Sequence, residues 1–503
     1  MPDFEGIFYG FKVSLVPARI FACLLGSVLG TFVGILPGLG PTATIALLLP
    51  VSFLVDPTSG LIMMAGIYYG AMYGGSTTSI LVNIPGEAAS VVTCVEGHLM
   101  AKRGRGGAAL AVCAVGSFIA GTFGVLAVTI AAPALAGVAL IFGPPEFMTL
   151  GIMGIIAVLP LLGGSIINNG FTAVLGLMLA TVGIDQMTGN PRFTFGYVQL
   201  TQGINLTPLC MGLFGVTELM VMAEQATTAV QSYKTRFREL FPTLAEWRRA
   251  VPAIMRGTAI GLPIGLIPGS ATILSSFIAF SIEKRISGPE SNFGKGAIEG
   301  VASPESANNA AATTCLIPLL ALGLPFGSAT ALMLGAMMMH GIAPGPLLIT
   351  QHPELFWGVI ASMYIGNVML LVLNYPLVGF WASLLKLPKH VLAASIALFM
   401  LLGTYSVDTS VFDIGVAIFM GVIGYVFRKM NYDPVPLVLG FVLGSMIENS
   451  LRQTMIMLQG DIGQLIHRPV VILLVILGLL PMVIPLAYRL TRGSIKQSDN
   501  DQI

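Results

Sequence analysis

The sequence predicts an all-α polytopic integral membrane protein made of two inverted-topology repeats with broken helices and re-entrant hairpins. Three observations carry this expectation. The 503-residue chain is 55% hydrophobic and only 9% charged, against about 25% charged in a soluble domain. Continuous apolar segments of roughly 20 residues recur along it, enough for about ten to twelve membrane crossings, whereas a transmembrane barrel would show short alternating segments. Finally, one interrupted motif occurs twice, and equivalent loops of the two halves have opposite basic content, Lys and Arg in one and none in the other.

The motif runs from Gly30 to Thr44 and returns from Gly261 to Ile273, displaced by 231 residues, with Gly30, Gly34, Pro37 and Gly38 matching Gly261, Gly265, Pro268 and Gly269. Each copy puts a Pro-Gly pair where a spanning helix would be continuous. Proline removes a backbone donor and glycine weakens the helix. At membrane depth such a break survives only where protein or water satisfies the freed backbone groups. Interrupted segments at matching places in two halves of a chain point to a secondary transporter's binding site.

Further matches are expected between Gly66 to Ser79 and Gly296 to Asn309, and between Ile84-Pro85-Gly86 and Leu324-Pro325-Phe326-Gly327 after an insertion of about ten residues. The loop around Asp56 has no Lys or Arg, while its counterpart has Lys284, Arg285 and Lys295. The loop with Lys102, Arg103 and Arg105 pairs with the His340 to Gln351 region, which has none. Gly143 to Glu146 lacks basic residues, while its counterpart has Lys386 and Lys389. By the positive-inside rule, equivalent loops lie on opposite faces and the halves are inverted. The expected division is 1–222 for the first membrane repeat, 223–256 for a basic cytoplasmic linker, and 257–503 for the second repeat with its polar tail.

Net charge is +1, which gives no electrostatic case for nucleic acid. Met1-Pro2-Asp3-Phe4-Glu5 lacks the basic start of a cleaved signal. The five cysteines and five histidines are scattered without ligand spacing, so no transition-metal site is expected. Gly294-Lys295-Gly296 lacks the rest of a phosphate-binding loop, and there is no G-x-S-x-G nucleophile elbow. The expected protein is not an enzyme and carries no cofactor; binding and translocation remain. An ion channel with broken pore-lining helices is the alternative, separable because a channel shows no counterflow.

Four polar clusters interrupt apolar sequence: Pro41 to Thr44, Ser76 to Ser79, Ser270 with Thr272, and Ser306 with Asn308 and Asn309. Their hydroxyls and amides can donate to an anion or ligate a cation through oxygen. Helices restarting after each break aim N–H groups and partial positive charge at an anion. Such residues also often bond only the i−4 carbonyl of their own helix. The expected substrate-binding set is Gly38, Gly40, Thr42, Ser76, Thr77, Gly269, Ser270, Thr272, Ser306, Asn308 and Asn309. The expected ion-coupling set is Thr44, Thr78, Pro85, Glu87, Glu305 and Pro325, since a carboxylate near a break must be protonated, paired or wetted. Asn308 and Asn309 point about 100° apart on a helix, so both line one cavity only if the backbone opens near Pro304.

Gly34 to Thr42, the block Gly300-Val301-Ala302-Ser303-Pro304-Glu305-Ser306-Ala307-Asn308-Asn309-Ala310-Ala311, and His340-Gly341-Ile342-Ala343-Pro344-Gly345-Pro346 resemble the large membrane subunit of the tripartite tricarboxylate transporters. The resemblance covers essentially the whole chain. It implies a multi-pass secondary transporter of the bacterial inner membrane that imports organic di- or tricarboxylates, driven by an ion gradient. It also implies two partners, a small four-helix membrane subunit and a periplasmic solute-binding protein. The expected coupling cation is Na⁺ or H⁺. Analogy with other hairpin-bearing carboxylate carriers suggests an elevator.

Overall fold

The computed structural model describes residues 4–36, 40–52, 54–83, 85–139, 141–160, 165–185, 187–224, 241–269, 271–287, 292–377, 379–381, 393–394, 397–398, 400–402, 404–405 and 409–482. Pro37, Gly38, Ser270, Lys386, Lys389 and residues 225–240 of the basic linker lie outside these residues. Among the described residues the regular structure is helical, apart from a hairpin of two-residue strands, β1 (Gly183–Ile184) and β2 (Pro191–Arg192).

The chain divides into two units, Met1–Leu140 with Asn205–Val426, and Ile141–Ile204 with Phe427–Ile503. The first unit contains α1 (Phe4–Ser14), α2 (Pro17–Gly34), α3 (Gly40–Ser52), α4 (Pro57–Val82), a 3₁₀ turn (Ala88–Ser90), α5 (Val91–Lys102) and α6 (Gly106–Ala139). The second unit opens with α7 (Pro144–Val158) and α8 (Ile166–Ala180). The chain returns to the first unit for α9 (Leu206–Cys210) and α10 (Thr217–Glu224), joined by a π-helical turn. There follow α11 (Leu244–Ile264), α12 (Ala271–Ser287), α13 (Glu299–Thr314), α14 (Leu316–Leu322), α15 (Ser328–Met339), α16 (Leu348–Gln351) and α17 (Pro353–Asn374). Helix α18 (Val411–Lys429) runs across the division, and α19 (Val435–Met457) and α20 (Pro469–Met482) complete the second unit.

Among the described residues, five helical stretches are long and apolar enough to cross a membrane: α2, α6, Leu206–Glu224, α17 and α18. Helices α3, α7, α8, α15 and α20 are apolar but shorter. This is a multi-pass membrane protein.

Glycine spacing positions the first unit's core. Gly26, Gly30 and Gly34 line one face of α2, where a Cβ would overlap the carbonyl oxygens of Met63, Ile67 and Ala71 in α4. Gly66, Gly70 and Gly74 of α4 reciprocate against Cys23, Ser27 and Thr31 of α2. Small residues four apart let two backbones touch, which is how helices pack without hydrophobic drive in lipid. Helix α4 is capped by Asp56, whose carboxylate accepts from Ser59 N at 3.1 Å, and it ends at Asn83, which adopts the left-handed conformation that terminates helices. Helix α11 opens on a reciprocal Thr243–Glu246 cap.

The second half repeats this construction. Gly257, Gly261 and Gly265 of α11 meet Ser303, Ala307 and Ala311 of α13 as Gly26, Gly30 and Gly34 meet Met63, Ile67 and Ala71. Gly323 ends α14 in the left-handed conformation of Asn83, Pro325 stands where Pro85 does, and Thr330 Oγ1 receives Gly327 N at 2.9 Å as Ser90 Oγ receives Glu87 N at 3.4 Å.

These contacts correct the register read from the sequence. Spacing between equivalent residues grows from 231 (Gly30 to Gly261) to 240 (Met63 to Ser303, and Asn83 to Gly323). The nine extra residues therefore precede the contact face of α13 instead of following it. Ser306, Asn308 and Asn309 stand at the positions of Gly66, Tyr68 and Tyr69, and the Ser76 to Ser79 cluster has apolar Leu316 to Leu319 as its counterpart. The halves also exchange a helix: α6 packs against α13, with Gly124 against Thr313, and α17 packs against α4.

In the second unit, α8 and α19 approach through Gly176 and Gly440. Asp185 beside β1 is held by Arg452 at 2.8 Å and Arg192 at 3.5 Å, and both arginines also bind Glu448.

Candidate functional site

The expected site residues fall in two places within the first unit. The first is a half-exposed meeting of helix starts. Helix α3 begins at Gly40, which has positive φ, and Thr42 Oγ1 lies 2.6 Å from Ser328 Oγ at the start of α15. Gly269, also at positive φ, donates its N–H to Phe326 O at 2.8 Å, just before α12 starts at Ala271. Backbone donors at the start of α3 and α12, each behind a broken segment, are thereby brought to the loop before α15. Thr272 is half-buried, and its carbonyl accepts from Ser275 and Ser276. Thr44 is turned back on the Gly40 carbonyl at 2.7 Å.

The second place is a buried polar core where α4, α5, α6 and α13 meet. The Glu305 carboxylate accepts from Ser76 Oγ at 2.5 Å and from Thr93 Oγ1. Asn309 Nδ2 donates to Ser117 Oγ at 2.7 Å and to the Glu305 carbonyl at 3.1 Å. Asn308 Nδ2 donates to Glu87 Oε1 at 2.8 Å, tying α13 to the loop after α4. Ser79 Oγ reaches Ser90 Oγ at 2.9 Å, and Thr78 bonds the Gly75 carbonyl. Ser306 bonds Ala302 O at 2.8 Å and faces Gly116 of α6, where any Cβ would crowd its hydroxyl. Thr77 lines a small cavity with Tyr73, Ser76, Ser117 and Asn374, and a second lies between Tyr69, Tyr73, Asn309 and Asn367. Pro85 and Pro325 follow the left-handed residues that end α4 and α14.

The condition for both asparagines to line one cavity, an opening near Pro304, is not met. Helix α13 runs unbroken through Pro304, with Pro304 inside it, because α11 and α12 clasp its first turns and Ser276 Oγ bonds the Pro304 carbonyl at 3.3 Å. Asn308 and Asn309 consequently face different partners.

Neither Glu87 nor Glu305 has a Lys or Arg partner among the described residues. The contrast lies at the helix ends, where Glu246 pairs with Arg105, Glu299 with Arg249 and Glu283 with Arg256. The cluster is also larger than sequence reading finds. Ser328, Ser90, Thr93, Ser117, Tyr73 and Asn367 were not anticipated. Asn367 accepts from Tyr73 OH at 3.0 Å and donates to Phe118 O and Thr122 Oγ1; an amide in the middle of the apolar run of α17 was a readable signal.

The family model described as "Tripartite tricarboxylate transporter TctA family" matches residues 20–439. The chain belongs to the tripartite tricarboxylate transporter TctA family. It is thus a component of a tricarboxylate transporter, and the two broken segments, the buried core and α17 all lie within the matched region. An Agrobacterium vitis protein described as an uncharacterized 52.8 kDa protein in the TAR-I ttuC' 3' region is 46% identical over 477 residues, 95% of each chain. A second from that organism, from the TAR-II ttuC' 3' region, is 46% identical over 226 residues, 45% of this chain and 93% of its own. No solved structure matches the chain.

Proposed function

We propose that this TctA-family protein is the large membrane subunit that carries an organic di- or tricarboxylate across the bacterial inner membrane, coupled to Na⁺ or H⁺. A periplasmic solute-binding protein delivers the substrate, and a small four-helix subunit completes the membrane complex. The observation that carries this reading is the division of the site. Helix starts and hydroxyls converge at a half-exposed place around Thr42, Gly269 and Ser328, and carboxylates without a Lys or Arg partner among the described residues lie buried between α4, α5 and α13. The first suits an anion, because N–H groups and partial positive charge gather at helix starts. The second suits a coupled cation, because a buried carboxylate needs a positive partner or a proton. The two halves rocking or sliding against each other would give alternating access, with an elevator as the form of motion.

The test is reconstituted vesicles holding both membrane subunits, supplied with loaded binding protein. Internal unlabelled carboxylate should drive counterflow of labelled carboxylate, and uptake should continue on an ion gradient without ATP. A current with no counterflow would establish a channel instead. Thr42→Ala and Ser328→Ala should each weaken substrate binding by about 1–3 kcal/mol, the usual loss of a hydrogen bond to a charged group, without lowering protein abundance.

Inverted orientation has its own test. Arg103 and Gln351 are both exposed. A cysteine at Arg103 should label only from the cytoplasm and one at Gln351 only from the periplasm. Labelling of both from one face would refute it.

A further inference from the structure

Asn308 is fully buried, and its two amide atoms are unequally served. Nδ2 donates to Glu87 Oε1 at 2.8 Å, while Oδ1 has no hydrogen-bond partner among the described residues. A buried acceptor left alone is rare and costly. Glu87 Oε2 receives no hydrogen bond and pairs with no Lys or Arg among the described residues. A primary amide and a carboxylic acid complete each other through two bonds: amide N–H to acid C=O, and acid O–H to amide C=O. The first is present, and the second would need only a proton on the carboxyl group. Turning the amide over would set Oδ1 against Oε1, two acceptors, and again require a proton between them.

We infer that Glu87 and Asn308 form a proton-binding site, in which Glu87 Oε2 takes a proton from water and hands its hydrogen bond to Asn308 Oδ1, and that this proton is the coupled cation. The coupling half rests on the proposed carboxylate symport; the binding half does not. Glu87 is 8% exposed and adjoins exposed Ala88, so it has a way to exchange protons that Glu305, 1% exposed and held by Ser76 and Thr93, lacks.

The charges around the turn leave Glu87 uncompensated. Helices α4, α5, α12 and α13 pack against it. Helix α4 brings the phenols Tyr68, Tyr69 and Tyr73, and α5 brings Cys94. Glu96 of α5 is taken up by the N–H groups of Gly294, Gly296 and Ala297, and His98 by Ile80 O. Glu283 of α12 and Glu299 of α13 hold Arg256 and Arg249. The cations Lys102, Lys284 and Arg285 sit in the last turns of α5 and α12. Glu305 is the remaining carboxylate on α13, and Ser76 and Thr93 hold it.

Infrared absorption of the purified full chain in lipid tests the site directly. At neutral pH the carbonyl band of a protonated carboxylic acid should be present in wild type and lost in Glu87→Gln. In Asn308→Ala the band should survive at higher frequency, because its hydrogen-bond partner is gone. A spectrum unchanged by Glu87→Gln overturns the site. In vesicles, Glu87→Gln, which mimics the protonated acid, should lose accumulation driven by a pH gradient while one-for-one carboxylate exchange persists. Undiminished proton-driven accumulation, or wild-type accumulation that follows only a Na⁺ gradient, overturns the coupling. Absence of any wild-type carboxylate flux would instead refute the proposed function, and the infrared band would still decide the site.

Discussion

Valine at Gly30 or at Gly261 should cost the folded protein about 3 kcal/mol of stability or more. A Cβ at Gly30 would overlap the Ile67 carbonyl oxygen, and one at Gly261 the Ala307 carbonyl oxygen. The obstruction is backbone in both cases, so no rotamer change relieves it and the helix pair must separate along its length. Overpacking typically costs about 1–3 kcal/mol when side chains can shift, and here they cannot. A β-branched residue also loses side-chain freedom in a helix. The same substitution at Gly137 is the control, since a Cβ there meets nothing within 4 Å and a side chain in place of glycine inside a helix favours it. Membrane abundance and the melting temperature of purified protein measure the difference. Wild-type melting of Gly30→Val would mean that α2 and α4 do not hold the first unit together.

The same glycines explain what was legible in the sequence. The Pro-Gly breaks were readable because proline and glycine act locally: Asn83 and Gly323 end their helices in the left-handed region, and both are followed by proline two residues on. The membrane class was readable from composition alone. The repeat register was not, because the contact face of α13 uses Ser306, Ala310 and Thr314 where α4 uses Gly66, Gly70 and Gly74. Smallness is kept there and identity is not. Matching by polarity paired Ser76 to Ser79 with Ser306 to Asn309, whereas these clusters are not equivalent but complementary: Ser76 donates to Glu305 across 229 residues of chain. Glu87 and Glu305 stood out as carboxylates close to breaks. Their partners did not, because Thr93, Asn308 and Ser117 are ordinary residues until the helices are assembled. For Gly38 and Ser270 the structure describes no position, so their expected roles stay with the proposed site.

Glu305 supplies the second large effect. Its carboxylate is the only described partner of the Ser76 hydroxyl, it also takes the Thr93 hydroxyl, and it sits on α13 against α4 and α5. Removal by Glu305→Ala deletes two hydrogen bonds to a charged group, worth about 1.5–3 kcal/mol each. It also leaves two buried hydroxyls and a void. The expected destabilisation is about 3–6 kcal/mol, enough to deplete the protein from the membrane, since a whole domain has only about 5–15 kcal/mol. That result alone would describe a structural residue. Glu305→Gln separates the roles, because the amide keeps the shape and one carbonyl oxygen for Ser76, while Thr93 can turn its hydroxyl to accept from the amide. If Glu305 serves only packing, Glu305→Gln should fold and transport nearly as wild type. If its negative charge tunes the site, the folded Glu305→Gln protein should shift the pH dependence of uptake. Removing a neighbouring negative charge makes Glu87 easier to deprotonate, so the loss of its proton should move to lower pH. An unmoved profile in a well-folded Glu305→Gln protein would sever the electrostatic link between the two carboxylates.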